Sequence, residues 1–356
     1  MKPRVYGGIA FAALLFLLVQ VGAVALVPTF YAEGYQQVED PTDPANSLLY
    51  IGAILVATAL MLAAFKFDFD WAVQLVVVFT SGLLSWYVFG ALLPSLLSIV
   101  LAAGVALALL AHPEWYVIDA AGVLMGAGAA ALFGISFGVL PAIVLLLALA
   151  VYDAISVYGT RHMLDLAEGV MDLRIPVVLV VPTTLSYSLL DTDFGEANEV
   201  HEDSEPSGES GTATANGGDD TDESGGEDAR DETNPTGPNS EADEVDHEGA
   251  DDESVRDAFF IGLGDAVMPT VMVASAAFFS SAASLGLSSL PALNLPALTA
   301  MVGTFLGFFV LMWAVTKGRA HAGLPLLNGG AVGGYLVGSI AAGVPLVEAV
   351  GLAPYL

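Results

Sequence analysis

Long apolar runs, separated by short polar or proline- and glycine-containing segments, dominate this chain of 356 residues. A run of about 18 or more apolar residues is long enough to cross the roughly 30 Å hydrocarbon core of a bilayer as a helix. The pattern predicts about nine such helices and therefore an all-α membrane protein. The predicted spans cover residues 5–27, 47–65, 71–88, 91–111, 117–135, 138–159, 258–284, 296–315 and 325–347.

The first span also has features of a cleaved signal peptide. Lys2 and Arg4 precede its apolar run, and Ala23-Val24-Ala25 could form a cleavage site. The run continues to Val27, however, which is long for the apolar region of a signal peptide. We favour a retained helix and keep cleavage as the alternative.

An acidic segment interrupts the apolar pattern between the sixth and seventh spans. Asp191 to Glu253 contains 24 acidic residues and one basic residue, Arg230, and accounts for most of the net charge of −30. Such a composition cannot bury enough apolar surface to become ordered, so we expect a disordered loop. The sequence thus predicts helices one to six in 1–160, a loop in 161–256 that is acidic and disordered from about 191 to 253, and helices seven to nine in 257–349.

All nine lysine and arginine residues fit one orientation in the membrane. With a cytoplasmic N-terminus, each of them lies on the cytoplasmic side, as basic residues near spans generally do. They are Lys2, Arg4, Lys66, Arg161, Arg174, Arg230, Arg256, Lys317 and Arg319. We therefore expect a multi-pass cell membrane protein with nine spans, a cytoplasmic N-terminus and acidic loop, and an external C-terminus.

Few ionisable residues fall within the predicted spans, where they are costly and mark functional sites by default. Asp119, Asp257 and Glu348 lie near span ends, and we interpret them as interfacial carboxylates that water reaches. Asp153 and Asp265 lie deeper. They are eight residues before Arg161 and nine after Arg256, which correspond to about 12 and 13.5 Å at helical rise.

These two deep aspartates flank one loop, so their helices run antiparallel and can bring both carboxyls to the same depth. No basic residue lies in the core to neutralise them, and sharing a proton would lower their cost. One carboxylate could then activate a water while its protonated neighbour donates to a carbonyl oxygen, with no metal or other cofactor. A carboxylate-dependent transporter or channel is the alternative.

Short motifs surround both aspartates. Tyr152-Asp153 resembles the YD motif, and Gly262-Leu263-Gly264-Asp265 resembles the GxGD motif, of presenilins and signal peptide peptidases. The resemblance covers the chain apart from the acidic insert. It implies an intramembrane aspartyl endopeptidase with Asp153 and Asp265 as its catalytic pair. The glycines would allow close approach to Asp265, although small-residue helix packing also explains them.

The third motif of that family, PAL, has a partial counterpart in Ala322-Gly323-Leu324-Pro325. This segment keeps the Leu and the second Pro, so Leu324 and Pro325 are candidate active-site residues. Literal PAL occurs at 291–293 and 296–298, but both copies fall on the outer side, far from Asp265. Type IV prepilin peptidases share GxGD but usually continue it with Lys, whereas Ala266 follows here.

The resemblance also implies the partners. They are single-span transmembrane substrates and the lipid bilayer, without nucleic acid, and the oligomeric state stays open, with a homo-oligomer among the alternatives. We expect substrate to be opened into a strand that pairs with the enzyme. Residues 175–182 are β-branched and bounded by prolines, and 258–261 could also be extended. The alternative is that 175–181 rests at the membrane interface or packs on the sixth helix.

Overall fold

The computed structural model describes residues 3–67, 69–159, 177–182, 187–189, 258–317 and 322–356. Within these ranges there are nine long helices and one small sheet. The helices are α1 (Pro3–Ala32), α2 (Ala45–Lys66), α3 (Asp70–Leu92), α4 (Ser95–Ala111), α5 (Trp115–Ser136), α6 (Val139–Gly159), α7 (Leu263–Phe279), α8 (Leu295–Val315) and α9 (Gly323–Ala341). A short helix, α10 (Leu346–Ala349), and a 3-10 turn (Ala353–Tyr355) end the chain. The predicted acidic segment from 191 to 253 lies outside the described residues.

The nine long helices of the described residues are apolar, as membrane spans are. Seven of those described are long and apolar enough to cross a bilayer, and α4 and α7 are apolar helices of 17 residues each. The prediction of an all-α membrane protein with about nine transmembrane helices is therefore confirmed.

Proline and glycine account for two differences between predicted and observed helix ends. The fourth helix begins at Ser95 instead of residue 91, because Pro94 precedes it in an extended conformation. The ninth ends at Ala341 instead of 347. Gly343 adopts φ +81, and the N–H of Val344 bonds back to the carbonyl of Ser339 at 2.9 Å, which closes the helix in the usual glycine-terminated way.

A two-stranded antiparallel sheet precedes α7. Strand β1 (Val178–Pro182) pairs with strand β2 (Ala258–Gly262), with Val180 opposite Phe260. The extended conformation predicted for these two segments is confirmed where the structure describes them, residues 175 and 176 lying outside the described ranges, and the prediction that a helix already begins at 258 is wrong. Aromatic and β-branched residues suit a pleated surface, and pairing with β1 satisfies backbone groups that a helix would otherwise bond internally.

Both faces of β1 are buried. Leu179 and Val181 join the main core of the bundle, while Val180 points the other way into a smaller cluster with Ile118 of α5. This alternation is that of a strand covered on both sides. The sheet is therefore held inside the helical bundle, against α5 and α1.

Helix α1 is an integral part of this core. Phe16, Val19, Ala23 and Val24 on it are at most 1% exposed. The helix packs closely on α5, where Gly126 leaves room for the Val19 side chain. The described bundle thus relies on the first span for packing.

Helices α8 and α9 are in direct backbone contact. A Cβ placed on Gly303 would overlap the carbonyl oxygen of Gly330, and one on Gly307 would overlap that of Leu326. Small residues allow membrane helices to approach this closely. The contact fixes the height of α9 in the bundle, and hence the position of its N-terminus.

Candidate active site

Asp153 and Asp265 are brought together by α6 and α7, which pack against each other. Asp153 lies six residues before the end of α6 and is 7% exposed, and Asp265 is the third residue of α7 and is partly buried. The two carboxyls are close enough to interact electrostatically. The structure thus produces the pairing that their positions in the sequence predicted.

The route by which Asp265 reaches this place differs from the prediction. The depth of about 13.5 Å assumed a continuous helix from the basic residue at 256. Residues 258–262 form β2 instead, and a strand rises about 3.3 Å per residue, more than twice the helical value. Asp265 therefore lies at the junction where a strand becomes a helix.

The N-terminus of α9 lies close to both carboxyls. The backbone N–H of Leu324 donates to Oδ2 of Asp153 at 3.0 Å, and the N–H of Gly323 interacts with the same carboxyl. A Cβ on Gly323 would be 3.5 Å from both carboxyl oxygens of Asp265. The first N–H groups of a helix have no partner within it and carry partial positive charge, so they suit a carboxylate.

Pro325 is the third residue of α9, within its first turn. Its missing N–H costs nothing there, because none of the first four N–H groups has a partner inside the helix. Leu324 packs with its side chain against the core cluster that includes residues of α6 and α7. Both residues thus lie where the third motif was predicted to lie, although sequence reasoning gave no role to Gly323.

One helical turn further along α9, Asn328 fastens the helix to α6. Its Nδ2 donates to the carbonyl oxygen of Leu146 at 3.0 Å, and its side chain is fully buried. This bond, with the glycine contacts to α8, holds the start of α9 beside Asp153.

The two glycines of the GxGD motif differ in their surroundings. A Cβ on Gly264 would meet no described atom within 4 Å, and one on Gly262 would meet only Oδ2 of Asp265, at an ordinary 3.6 Å. Packing among the described residues therefore does not explain either glycine, and both leave space near Asp265. Leu263 is buried, and its N–H donates to the carbonyl of Val177 at 2.7 Å, which joins α7 to the sheet.

Tyr152 is on the outer side of α6 and is 43% exposed. Its position next to Asp153 in the sequence directs it away from the side of the helix that holds the carboxyl. This exposure does not favour packing against another helix, and a role for Tyr152 in binding substrate stays a prediction.

Metal ligands do not converge at this site. In the part of the chain that the structure describes, no three His, Asp and Glu side chains are grouped as a metal ion would require. The chemistry available to the described residues is that of two neighbouring carboxyls, two backbone N–H groups, and the space left by three glycines.

The chain as a whole is similar to known proteins. The family described as signal-peptide peptidase, presenilin aspartyl protease matches residues 13–344. A solved structure of a presenilin family intramembrane aspartate protease in space group C222 is 29% identical, with a TM-score of 0.57, and the match covers 94% of this chain and 99% of that one. A structure of a presenilin family intramembrane aspartate protease in space group P2 is 30% identical, with a TM-score of 0.52. That match covers 92% of this chain and 96% of the other. No curated protein matches the chain.

The family match extends over both aspartates and over the start of α9. The comparisons give no support to the transporter alternative. With a match over nearly the whole length and solved relatives of the same architecture, this chain belongs to the signal-peptide peptidase and presenilin family of aspartyl proteases.

Proposed function

We propose that Asp153 and Asp265 are the catalytic pair with which this intramembrane aspartyl protease hydrolyses peptide bonds. One carboxylate takes a proton from a water molecule, whose oxygen attacks the carbonyl carbon of the substrate. The protonated neighbour donates to the carbonyl oxygen, and collapse of the tetrahedral intermediate returns a proton to the leaving amine. The observation that carries the proposal is the α9 N-terminus, which binds Asp153 and lies against Asp265 through a residue without a side chain.

The substrates in this proposal are single-span transmembrane proteins. A helical peptide bond is shielded, and its freed backbone groups need new hydrogen-bond partners inside the membrane. Addition of the substrate as a strand to an existing edge would provide them. The sheet next to Asp265 is the structure that offers such an edge.

The register of the sheet supports β2 as the edge that substrate would use. Because Leu263 bonds to Val177, and antiparallel pairs alternate, the N–H and C=O groups of Gly262 point away from β1. Gly262 is exposed and lies three residues before Asp265. On the other strand, the outward N–H of Val180 is already bound by a side chain of α5. A substrate strand on β2 would therefore run toward the two carboxyls.

The aspartate assignment is tested with purified protein in detergent and a single-span substrate. Asp153→Asn and Asp265→Asn keep size and polarity but remove the base or the shared proton, so each should lower cleavage by at least about a hundredfold. Asp43→Asn, in an exposed loop, is the matched control and should keep the parental rate. Cleavage that persists in either site variant would refute the assignment.

The orientation is part of the proposal as well. The nine basic residues support a cytoplasmic N-terminus and acidic loop and an external C-terminus. The chain has no cysteine, so single cysteines can report the side of the membrane directly. Ser207→Cys in the loop should react with a membrane-impermeant reagent only in inverted vesicles, and Ser289→Cys only in right-side-out cells. The reverse pattern would overturn the orientation.

A further inference from the structure

Two carboxylates at the start of α5 bind the backbone of the segment that follows α6. Asp119 is 3% exposed, and its Oδ1 accepts the N–H of Val180, in the middle of β1, at 2.7 Å. Glu114 is 7% exposed and accepts the N–H of Leu189 at 3.0 Å and the hydroxyl of Ser188 at 2.7 Å. The interpretation of Asp119 as an interfacial carboxylate that water reaches is therefore wrong, because β1 covers it.

Asp119 acts on the edge of β1 that faces away from β2. In the alternating pattern of an antiparallel ladder, the backbone groups of residues 179 and 181 bond to β2. The N–H and C=O groups of Val180 point away from β2. The carboxyl therefore occupies the middle of this outer edge. It keeps another strand from adding there.

A carboxylate is a costly way to satisfy one backbone N–H. A buried charge is expensive unless its hydrogen-bonding capacity is used, and Oδ2 of Asp119 has no hydrogen-bond partner among the described residues. What a carboxyl adds is a stronger and shorter bond than a neutral acceptor gives. That strength is useful where a strand must not slip.

The bond to Val180 is connected to the proposed catalytic site by a short series of contacts. Strand β1 pairs with β2, the carbonyl of Val177 accepts the N–H of Leu263, and Asp265 follows two residues later. A slip of the ladder that keeps the same faces buried would move two residues, or about 6.6 Å. Such a slip would change which peptide bond of a paired substrate meets the carboxyls.

We propose that Asp119 is a positioning residue that fixes the register of β1, and through β2 determines which substrate bond is cleaved. The inference rests on the proposed function, since it needs a substrate strand on β2. It assigns Asp119 no contact with the reacting atoms.

The test compares Asp119→Ala with Asp119→Asn in the full-length protein. Cleavage products of a single-span substrate are identified by mass spectrometry, and kcat and KM are measured separately. Asp119→Ala should spread cleavage over neighbouring positions and lower kcat/KM about tenfold, because the Val180 N–H loses its partner. Asp119→Asn keeps an acceptor oxygen but makes a weaker, neutral bond, so it should restore the parental products in large part.

Val180→Pro removes the donor of the same hydrogen bond and should give the same products as Asp119→Ala. The double variant should be no worse than either single one, because both remove the same bond. Ser275→Ala is the structural control. It deletes a buried hydrogen bond from α7 to the carbonyl of Phe137, far from the sheet, and should lower thermal stability without moving the cleavage site.

Hydrogen exchange of residues 177–182 gives a readout that does not depend on activity. Exchange should be faster in Asp119→Ala than in the parent and the Asn variant. Parental products and parental exchange in both Asp119→Ala and Val180→Pro would overturn the inference. An inactive parent protein would instead refute the proposed function, while the exchange measurement would still decide whether Asp119 anchors β1.

Discussion

Gly323 offers a sharp test of the space between the two carboxyls. Replacement by Ala places a methyl group 3.5 Å from both carboxyl oxygens of Asp265 and 3.4 Å from Cδ2 of Leu311. These are ordinary contact distances, and Ala favours a helix more than Gly by up to about 1 kcal/mol. We therefore expect the Gly323→Ala protein to fold with a melting temperature within about 4 °C of the parent.

The expected loss is in the chemical step. A water hydrogen-bonded to Asp265 needs its oxygen at about 2.8 Å from the carboxyl, and the methyl group excludes water from this side. A displacement of about 1 Å in the reacting groups can cost about a hundredfold in rate, which is about 2.7 kcal/mol in the activation free energy. We expect kcat to fall by about that factor, with a smaller change in KM.

The assay is single-turnover cleavage of a single-span substrate in detergent, with melting temperatures measured on the same samples. Gly329→Ala is the matched control, because it makes the same change on the same helix where a Cβ meets nothing within 4 Å. A parental rate in folded Gly323→Ala, or an equal loss in Gly329→Ala, would refute the reasoning.

Three further predictions concern the sheet, the loop and the start of α5. Leu179→Pro removes an N–H directed at β2 and should abolish cleavage, whereas Val178→Pro removes one directed away and should keep most of it; equal effects would contradict the register. Deletion of 195–251 should leave cleavage largely intact, because helix packing positions α6 and α7, and complete loss in a well-expressed protein would show a specific role. Burial raises the pKa of Glu114, but its accepted hydrogen bonds, including that from Leu189, outweigh this and lower the pKa below its ordinary value. The Glu114 carboxylate should therefore stabilise the fold fully above its unfolded-state pKa of about 4.3. This stabilisation should be lost as the pH falls through the lower pKa of the folded state. A melting-temperature difference between the parent and Glu114→Ala that stays the same on acidification would contradict this.

The sequence predicted the parts of the site that rest on local chemistry. A carboxyl in an apolar span is conspicuous, and one loop joins the helices that carry Asp153 and Asp265, so their pairing could be predicted. The start of α9 could be located because a helix accepts proline in its first turn and rarely further along, which places Pro325 near the beginning.

Other parts depended on contacts between distant segments. Residues 258–262 are apolar and aromatic, a composition that fits a membrane helix as well as a strand, and pairing with 178–182 decides between them. In the sequence, Asp119 resembles an interfacial residue. Its burial depends on Val180, which lies 61 positions later and binds its carboxyl in the folded protein. Gly323 has no distinguishing pattern of its own, and its importance comes from two carboxyls on other helices.

The backbone contact between α8 and α9 limits which substitutions this protein can accept during evolution. Where two side chains touch, a larger residue on one helix can be offset by a smaller one on the other. Gly303 meets the peptide group of Gly330, and neither residue has a side chain left to shorten. A substitution at either position therefore has no local suppressor, and compensating changes would have to arise elsewhere in the bundle.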